Sequence, residues 1–277
     1  MKSSYAMEKS IVVDHLSFTG HIKGVSFTIQ KSEVVGLIGP HDSGKTMLMR
    51  IITGLVESTS GFVSVLEFDP FLKSPDFLKQ ISFLNGQKNQ LLKSSPPIET
   101  LEITKEIYGL SEREFSKNLR ELTQYINDPR LLDALIYKPK VILLDEPNLD
   151  LESIYEYNNK NESTTLLATE KIDNLINFAR RVIIMDKGQI LFDGALDEVI
   201  TKFAKEKVIK AKLSSEIDAK SVGEIGTVKS YTYPYLCVSA SRSTVSLAAA
   251  EMIQNLPIIN LTIDELSIEE IIHNMKA

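Results

Sequence analysis

At 277 residues with 43% hydrophobic content, the chain can bury one large core, or one core with a small appended domain. A formal net charge of −6 with scattered Lys and Arg supplies no basic patch of the kind nucleic-acid binding needs, so nucleic acid is not an expected partner. The one cysteine, Cys237, excludes an internal disulfide and a multi-cysteine metal site, and with no apolar run near the roughly 20 residues that span a bilayer and no apolar stretch in MKSSYAMEKS, a cytosolic chain is expected.

Ile11 to Phe18 (IVVDHLSF) and Gly24 to Ile29 (GVSFTI) alternate in part between apolar and polar residues around a turn bearing Gly20, which predicts an antiparallel hairpin. The run Glu33 to Gly39 (EVVGLIG) predicts a buried strand feeding a glycine turn. Gly39, Pro40, His41, Asp42, Ser43, Gly44, Lys45 and Thr46 then read GPHDSGKT, a full match to G-x-x-x-x-G-K-[ST]. Glycines let backbone N–H groups curl around phosphates, and a helix opening at Lys45 adds the positive end of its dipole. Binding of a nucleoside triphosphate is therefore expected, with Lys45 against the β and γ phosphates and Thr46 as a Mg²⁺ ligand.

The following TMLMRIITGL carries apolar residues at helical spacing and stops at Gly54. Gly61 to Leu66 predicts a strand, Pro70 to Pro75 a loop, and Ile81 to Leu84 a short strand running into Asn85-Gly86-Gln87. A charged helical insert is expected from Ser94 to Arg130, opened by Pro96-Pro97 and closed by Asp128-Pro129. Val141 to Leu144 is unbroken apolar and ends in Asp145 and Glu146, as a central parallel strand would. Such a pair suits nucleotide hydrolysis: Asp145 can hold Mg²⁺ through water, and Glu146 can orient or deprotonate the attacking water.

Thr164 to Ala168 and Arg181 to Asp186 supply two more strands, with a helix from about Ile172 to Ala179 between them, so strand and helix alternate as in a parallel sheet covered on both faces. Beyond Lys205 the elements shorten to strands at Val208 to Leu213 and Leu236 to Ser239 and a helix near Thr244 to Asn255. The expected division is an ATP-binding domain over 1–205 and an accessory domain over 206–277. Tyr231, Tyr233 and Tyr235 alternate, and on a single strand they would share one packed or interfacial face.

GPHDSGKT, Gln87, VILLDEP and the later RVIIMDKGQILFDG occur in the order found in ATP-binding subunits of ABC transporters, and the chain resembles that family from about Ile11 to Val199. The resemblance implies an α/β P-loop NTPase fold with a mixed sheet and a helical subdomain, and ATP and Mg²⁺ as cofactors. It also implies a membrane-spanning partner subunit, a dimer of ATPase subunits, and a peripheral place on the cytoplasmic face of the membrane. NGQKNQLL followed by KEIYGL is most similar to exporters of lipids, polysaccharides or drugs. Gln87 matches the glutamine that serves the metal, catalysis and the membrane partner; Phe18 matches the aromatic residue that stacks on adenine; Asp150 matches a loop residue that touches the opposite subunit. The end of the chain, with LTIDELSIEEII at Leu261 to Ile272, is similar to the small α+β extension several exporter subunits carry.

The pattern also breaks. Where the family places an LSGGQ-type motif at a helix N-terminus, this chain has Asn127-Asp128-Pro129-Arg130. The stretch from Asp150 to Thr164 is rich in Asn and Lys and is expected to lack most of the family's helix there, and the helical subdomain is expected to be a reduced one. Glu170 stands where the family has a histidine facing the γ-phosphate, and a carboxylate there repels phosphate. Two copies would thus form two incomplete sites, whereas pairing with a different, intact ATPase subunit would leave one site complete, with weakened hydrolysis. The alternative is a regulatory switch that binds ATP without transport. Small P-loop kinases and GTPases fit less well, since the Asp145-Glu146-Pro147 and RVIIMDKG pattern has no role there, and the guanine-specificity string NKxD does not occur.

Overall fold

The computed structural model describes residues 8–86, 97–147, 149–218, 222 and 225–276. Two compact units emerge: one runs through Glu170 and resumes over Asn174–Gly194, and the other holds Lys171–Asp173 and the residues from Ala195 onward.

In the first unit the hairpin forms as β1 (Lys9–Phe18) and β2 (Ile22–Gln30), antiparallel. A register shift between Val13 and Leu16, with His15 at φ 47°, breaks strict alternation so that Ile11, Val13 and Leu16 all reach the core. The chain then enters β3 (Val34–Ile38) and α1 (Lys45–Ile52). It returns as β4 (Ser60–Val65), antiparallel to β1, to give a sheet of order β2-β1-β4. Helix α1 ends where expected, at Gly54 with φ 73°. The expected loop at Pro70 to Pro75 holds a 3₁₀ turn (Pro70–Leu72) and leads into α2 (Pro75–Leu78).

A second sheet is built from β3, β5 (Ile81–Asn85), β6 (Val141–Asp145), β7 (Thr164–Thr169), β8 (Arg181–Asp186) and β9 (Gln189–Ala195), in the order β5-β6-β7-β3-β8-β9. The pairs from β5 to β8 are parallel. β8 and β9 are joined only by Lys187 and Gly188, both at positive φ, a two-residue connection that antiparallel strands alone can take. The sheet is therefore mixed. Every residue of β6 and β7 is buried, as strands covered on both faces require. The hydroxyls this hides are paired: Thr164 Oγ1 with Ser10 Oγ at 2.8 Å, and Thr165 Oγ1 donating to Asn158 Oδ1 at 2.9 Å. Since β3, β6 and β7 run parallel, their carboxyl ends open on the same edge, the edge at which such sheets bind ligands.

The helical insert comprises α3 (Pro97–Tyr108), α4 (Glu112–Leu122) and α5 (Pro129–Leu135). Asp128-Pro129 does not close it. Asp128 caps α5 by accepting from Arg130 N, and Pro129 takes a first-turn position where its missing N–H costs nothing. The stretch expected to lack a helix contains α6 (Leu151–Asn161), capped by Asp150, which accepts from Glu152 N. Its Asn and Lys content hid the pattern because Asn158 is itself a core residue, buried with Ser153, Ile154 and Tyr157. The next helix, α7 (Asp173–Ile176), is shorter than the expected Ile172 to Ala179.

The second unit contains α8 (Leu196–Phe203), β10 (Glu206–Leu213), β11 (Thr227–Thr232), β12 (Tyr235–Ser241), α9 (Val245–Asn255), β13 (Ile258–Glu265) and α10 (Ile268–Lys276). Its antiparallel sheet, of order β11-β12-β10-β13, shares a core with Val245, Ala248, Ala249 and Met252 of α9. The three tyrosines do not share a strand. Tyr231 lies on β11, Tyr233 in the turn and Tyr235 on β12, with Thr232 opposite Tyr235, because their spacing of two spans a hairpin.

Candidate functional site

β3 delivers the GPHDSGKT loop to the carboxyl edge of the sheet, and the loop is tightly wound. A Cβ on Gly39 would lie 2.3 Å from Met185 O and 2.6 Å from Ser43 Oγ, while Gly44 adopts φ 105°. Gly188 N, in the β8–β9 turn, donates to Ser43 O at 2.9 Å and braces the loop from behind. Lys45 is buried, and its Nζ donates to Gly39 O at 2.6 Å and Pro40 O at 2.9 Å, so the ammonium is held at the loop by backbone dipoles. Asp42 has φ 60°, which Asp tolerates better than most residues, and its side chain is in solvent.

Thr46 Oγ1 donates to Asp145 Oδ1 at 3.2 Å, joining α1 to the end of β6 across 99 positions of sequence. Burial pushes the Asp145 carboxyl above its ordinary range, against the pull of the Thr46 hydroxyl and the charges of Lys45 and Arg50. Glu146 follows at φ 45°, a left-handed conformation rare for its residue type, with its N–H donating to Ala168 O at 3.0 Å. Burial pushes its carboxyl up as well; Lys45 opposes this, and the charges of Glu170 and Asp145 add to it. Gly86 closes on the same point: its N–H donates to Asp145 O at 2.9 Å, and a Cβ there would lie 2.0 Å from Glu146 O. Gln87, the next residue, lies outside the described residues.

Ser43, Gly44, Lys45, Thr46, Glu146 and Glu170 line a cavity of about 240 Å³, with His41 and Asp42 at its wall. Asp145 reaches it through Thr46. Phe18 is not among the lining residues; it packs partly into the core and stacks on His21, ring centroids 5.9 Å apart, and His21 lines the cavity. His21 and Arg50, which also lines it, were missed in the sequence. His21 sits in the β1–β2 turn and meets the loop only because the two sheets pack, with its carbonyl 2.8 Å from where a Gly44 Cβ would be.

The donor set fits a triphosphate with Mg²⁺. Ser43 Oγ and Glu146 Oε1 are buried without a hydrogen-bond partner, so polar capacity remains for a ligand. Among the described residues no group of three His, Cys, Asp or Glu gathers as a metal cage. Mg²⁺ needs none, since it is held by one or two protein oxygens together with substrate phosphates and water. At α5 the arrangement is different: Arg130 donates from N, Nε and Nη2 to the Asp128 carboxylate, which therefore already occupies that helix N-terminus.

The Gly39 geometry sets an expected result. Gly39→Ala should weaken MgATP binding about tenfold and cost about 1–3 kcal/mol of stability through overpacking. Gly20→Ala, with nothing within 4 Å, should cost only the backbone strain of φ 79°, about 1 kcal/mol, with no change in affinity. Calorimetry and thermal denaturation of the two variants check this, and equal effects would count against the cradle.

A family model described as ABC transporter matches residues 22–149, and the ATP-binding protein NatA of Bacillus subtilis is 26% identical over 204 residues, 64% of this chain and 83% of NatA. Residues 22–149 thus form an ABC transporter domain, of the kind that ATP-binding subunits carry. Members of this family bind ATP and partner with membrane-spanning subunits. The linearmycin resistance ATP-binding protein LnrL of Bacillus subtilis is 22% identical over 290 residues, covering 92% of this chain and 93% of LnrL. Among solved structures, cbiO1 of Clostridium perfringens, part of the ABC transporter complex cbiONQ, superposes with a TM-score of 0.63 at 20% identity, over 70% of this chain and 92% of that one, and shares the fold. Among the described residues of this subunit no helix is long and apolar enough to cross a membrane.

Proposed function

We propose that this subunit binds Mg²⁺-ATP at the Lys45 cavity and drives export through a membrane-spanning partner, with weak hydrolysis of its own. The observation that carries the reading is an asymmetry: Lys45, Thr46, Asp145 and Glu146 converge on one cavity, whereas the helix end ahead of β6 is neutralised by Asp128. In this reading Lys45 and the loop amides hold the phosphates, and Thr46 and Asp145, with Gln87, hold Mg²⁺. The metal supplies charge neutralisation at the phosphate oxygens. Glu146 takes a proton from water as its oxygen bonds to the γ-phosphorus, and the bond to the β-phosphate oxygen breaks, releasing ADP and phosphate. The α5 end, already carrying a carboxylate, cannot grip a partner subunit's γ-phosphate, so a different ATP-binding subunit with an open helix end completes the dimer.

Leu55, Leu78 and Ile107, exposed at 59%, 43% and 69% around a groove floored by Phe83, give an apolar surface suited to a membrane-embedded partner and favour transport over a free-standing switch. The full-length match to LnrL, a resistance protein by name, supports export. We place the subunit on the cytoplasmic face, with the unit from Ala195 onward as an accessory domain.

Sedimentation of the purified chain tests the reading. Saturating MgATP should leave it a monomer with slow turnover, whereas an ATP-driven homodimer, or rapid turnover without any partner, would contradict it.

A further inference from the structure

The cavity contains an ion pair that its proposed use has not explained. Ile38 of β3 pairs with Thr169 of β7, so the next residues, Gly39 and Glu170, leave adjacent parallel strands side by side. Asn174 Nδ2 donates to Thr169 Oγ1 at 3.1 Å and ties down the turn after β7. Two positions beyond Gly39, His41 turns back, and its Nδ1 lies 3.3 Å from Glu170 Oε1; its Nε2 is 3.6 Å from Asp42 Oδ1. A carboxylate oxygen only accepts, so Nδ1–H donates.

The side chains are 78% and 42% exposed, and an ion pair in that much water contributes little to stability. Its consequence lies with the bound ligand. Both residues line the cavity beside Lys45, and a polyphosphate there displaces water and raises the cost of every unscreened carboxylate. Glu146 must stay an ionised carboxylate to act as a base; Glu170 has no such task.

We propose that His41 and Glu170 act as one unit that sets discrimination between ATP and ADP: Glu170 is a positioning residue that fixes the His41 ring at the cavity wall, and the ring screens Glu170 from the terminal phosphate. A histidine carried by the loop itself thereby offsets the acid at the end of β7. The inference rests on the nucleotide reading of this cavity, and the terminal phosphate, present in ATP and absent in ADP, is its probe.

Calorimetric titration of the full chain with MgATP and MgADP tests it on His41→Ala, Glu170→Ala, the double variant and Glu170→Gln. His41→Ala should weaken ATP about tenfold and ADP less than about threefold, because an unscreened carboxylate now meets the extra phosphate. In the double variant ATP affinity should recover to within about threefold of the wild type. Glu170→Gln, which keeps an accepting oxygen without its charge, and Glu170→Ala should each bind ATP within about threefold of the wild type, since the ring already screens the carboxylate. Additive effects in the double variant, or equal shifts for ATP and ADP, would overturn the coupling while leaving nucleotide binding intact. Absence of any nucleotide signal in the wild type would overturn both the coupling and the function it rests on.

Discussion

Lys45→Ala is expected to reduce MgATP affinity at least about 100-fold while the chain still folds. The ammonium is buried and aimed by Gly39 O and Pro40 O, so its orientation is set before a ligand arrives. A hydrogen bond from a charged donor to a phosphate oxygen is worth about 1.5–3 kcal/mol, and losing the positive charge beside the triphosphate adds to that, hence the 100-fold floor. Removing the ammonium also takes a positive charge away from Asp145 and Glu146, and ATP would meet those carboxylates directly. The fold should survive, because the two carbonyls released stand beside a water-accessible cavity, with a stability loss of about 1–2 kcal/mol. Lys45→Met, which keeps the apolar stem, should lose the affinity but less of the stability. Calorimetry together with thermal denaturation separates the two effects; an alanine variant that binds MgATP within a few fold of the wild type would remove Lys45 from the site.

What could be read in the sequence was what is local. GPHDSGKT and VILLDEP each state strand, turn and chemistry within eight residues, and the structure joins them through the Thr46–Asp145 hydrogen bond. Order along a parallel sheet is also partly local, since alternating strand and helix patterns permit few topologies. What escaped depends on packing between distant segments. His21 reaches the cavity from a hairpin turn, Glu170 meets His41 across 129 positions, and Phe18 lies behind His21 rather than at the cavity. Asp128-Pro129 read as a stop although the same pair is a start signal; which it is depends on whether an apolar face follows, and Leu131, Ala134 and Leu135 provide one. The tyrosine triplet failed for a related reason, as alternation is meaningful only within one strand and Tyr233 sits in a turn.

The error over α6 shows how polar residues can form part of a core, and it leads to the second large expected effect. Tyr157 is fully buried and among the largest such side chains of the described residues, although Asn158, Asn159, Lys160 and Asn161 that follow it are all polar. Its Oη donates to Pro139 O at a long 3.4 Å, so the ring rather than the hydroxyl carries most of its contribution. Tyr157→Ala should therefore cost about 3–5 kcal/mol, as deletion of a buried aromatic ring does, whereas Tyr157→Phe should cost under about 1 kcal/mol. Against a total stability on the order of 5–15 kcal/mol, the alanine variant should melt roughly 10 °C lower. The loosening should spread along one route: Asn158, the next residue on α6, accepts from Thr165 of β7, and β7 leads to Glu170. Hydrogen exchange in Tyr157→Ala should accordingly speed up over α6 and β7 ahead of β3, while MgATP affinity of the folded fraction changes less than about threefold, since α6 contributes no residue to the cavity. If Tyr157→Ala unfolds with the stability of the wild type, the ring is not core and α6 does not anchor β7.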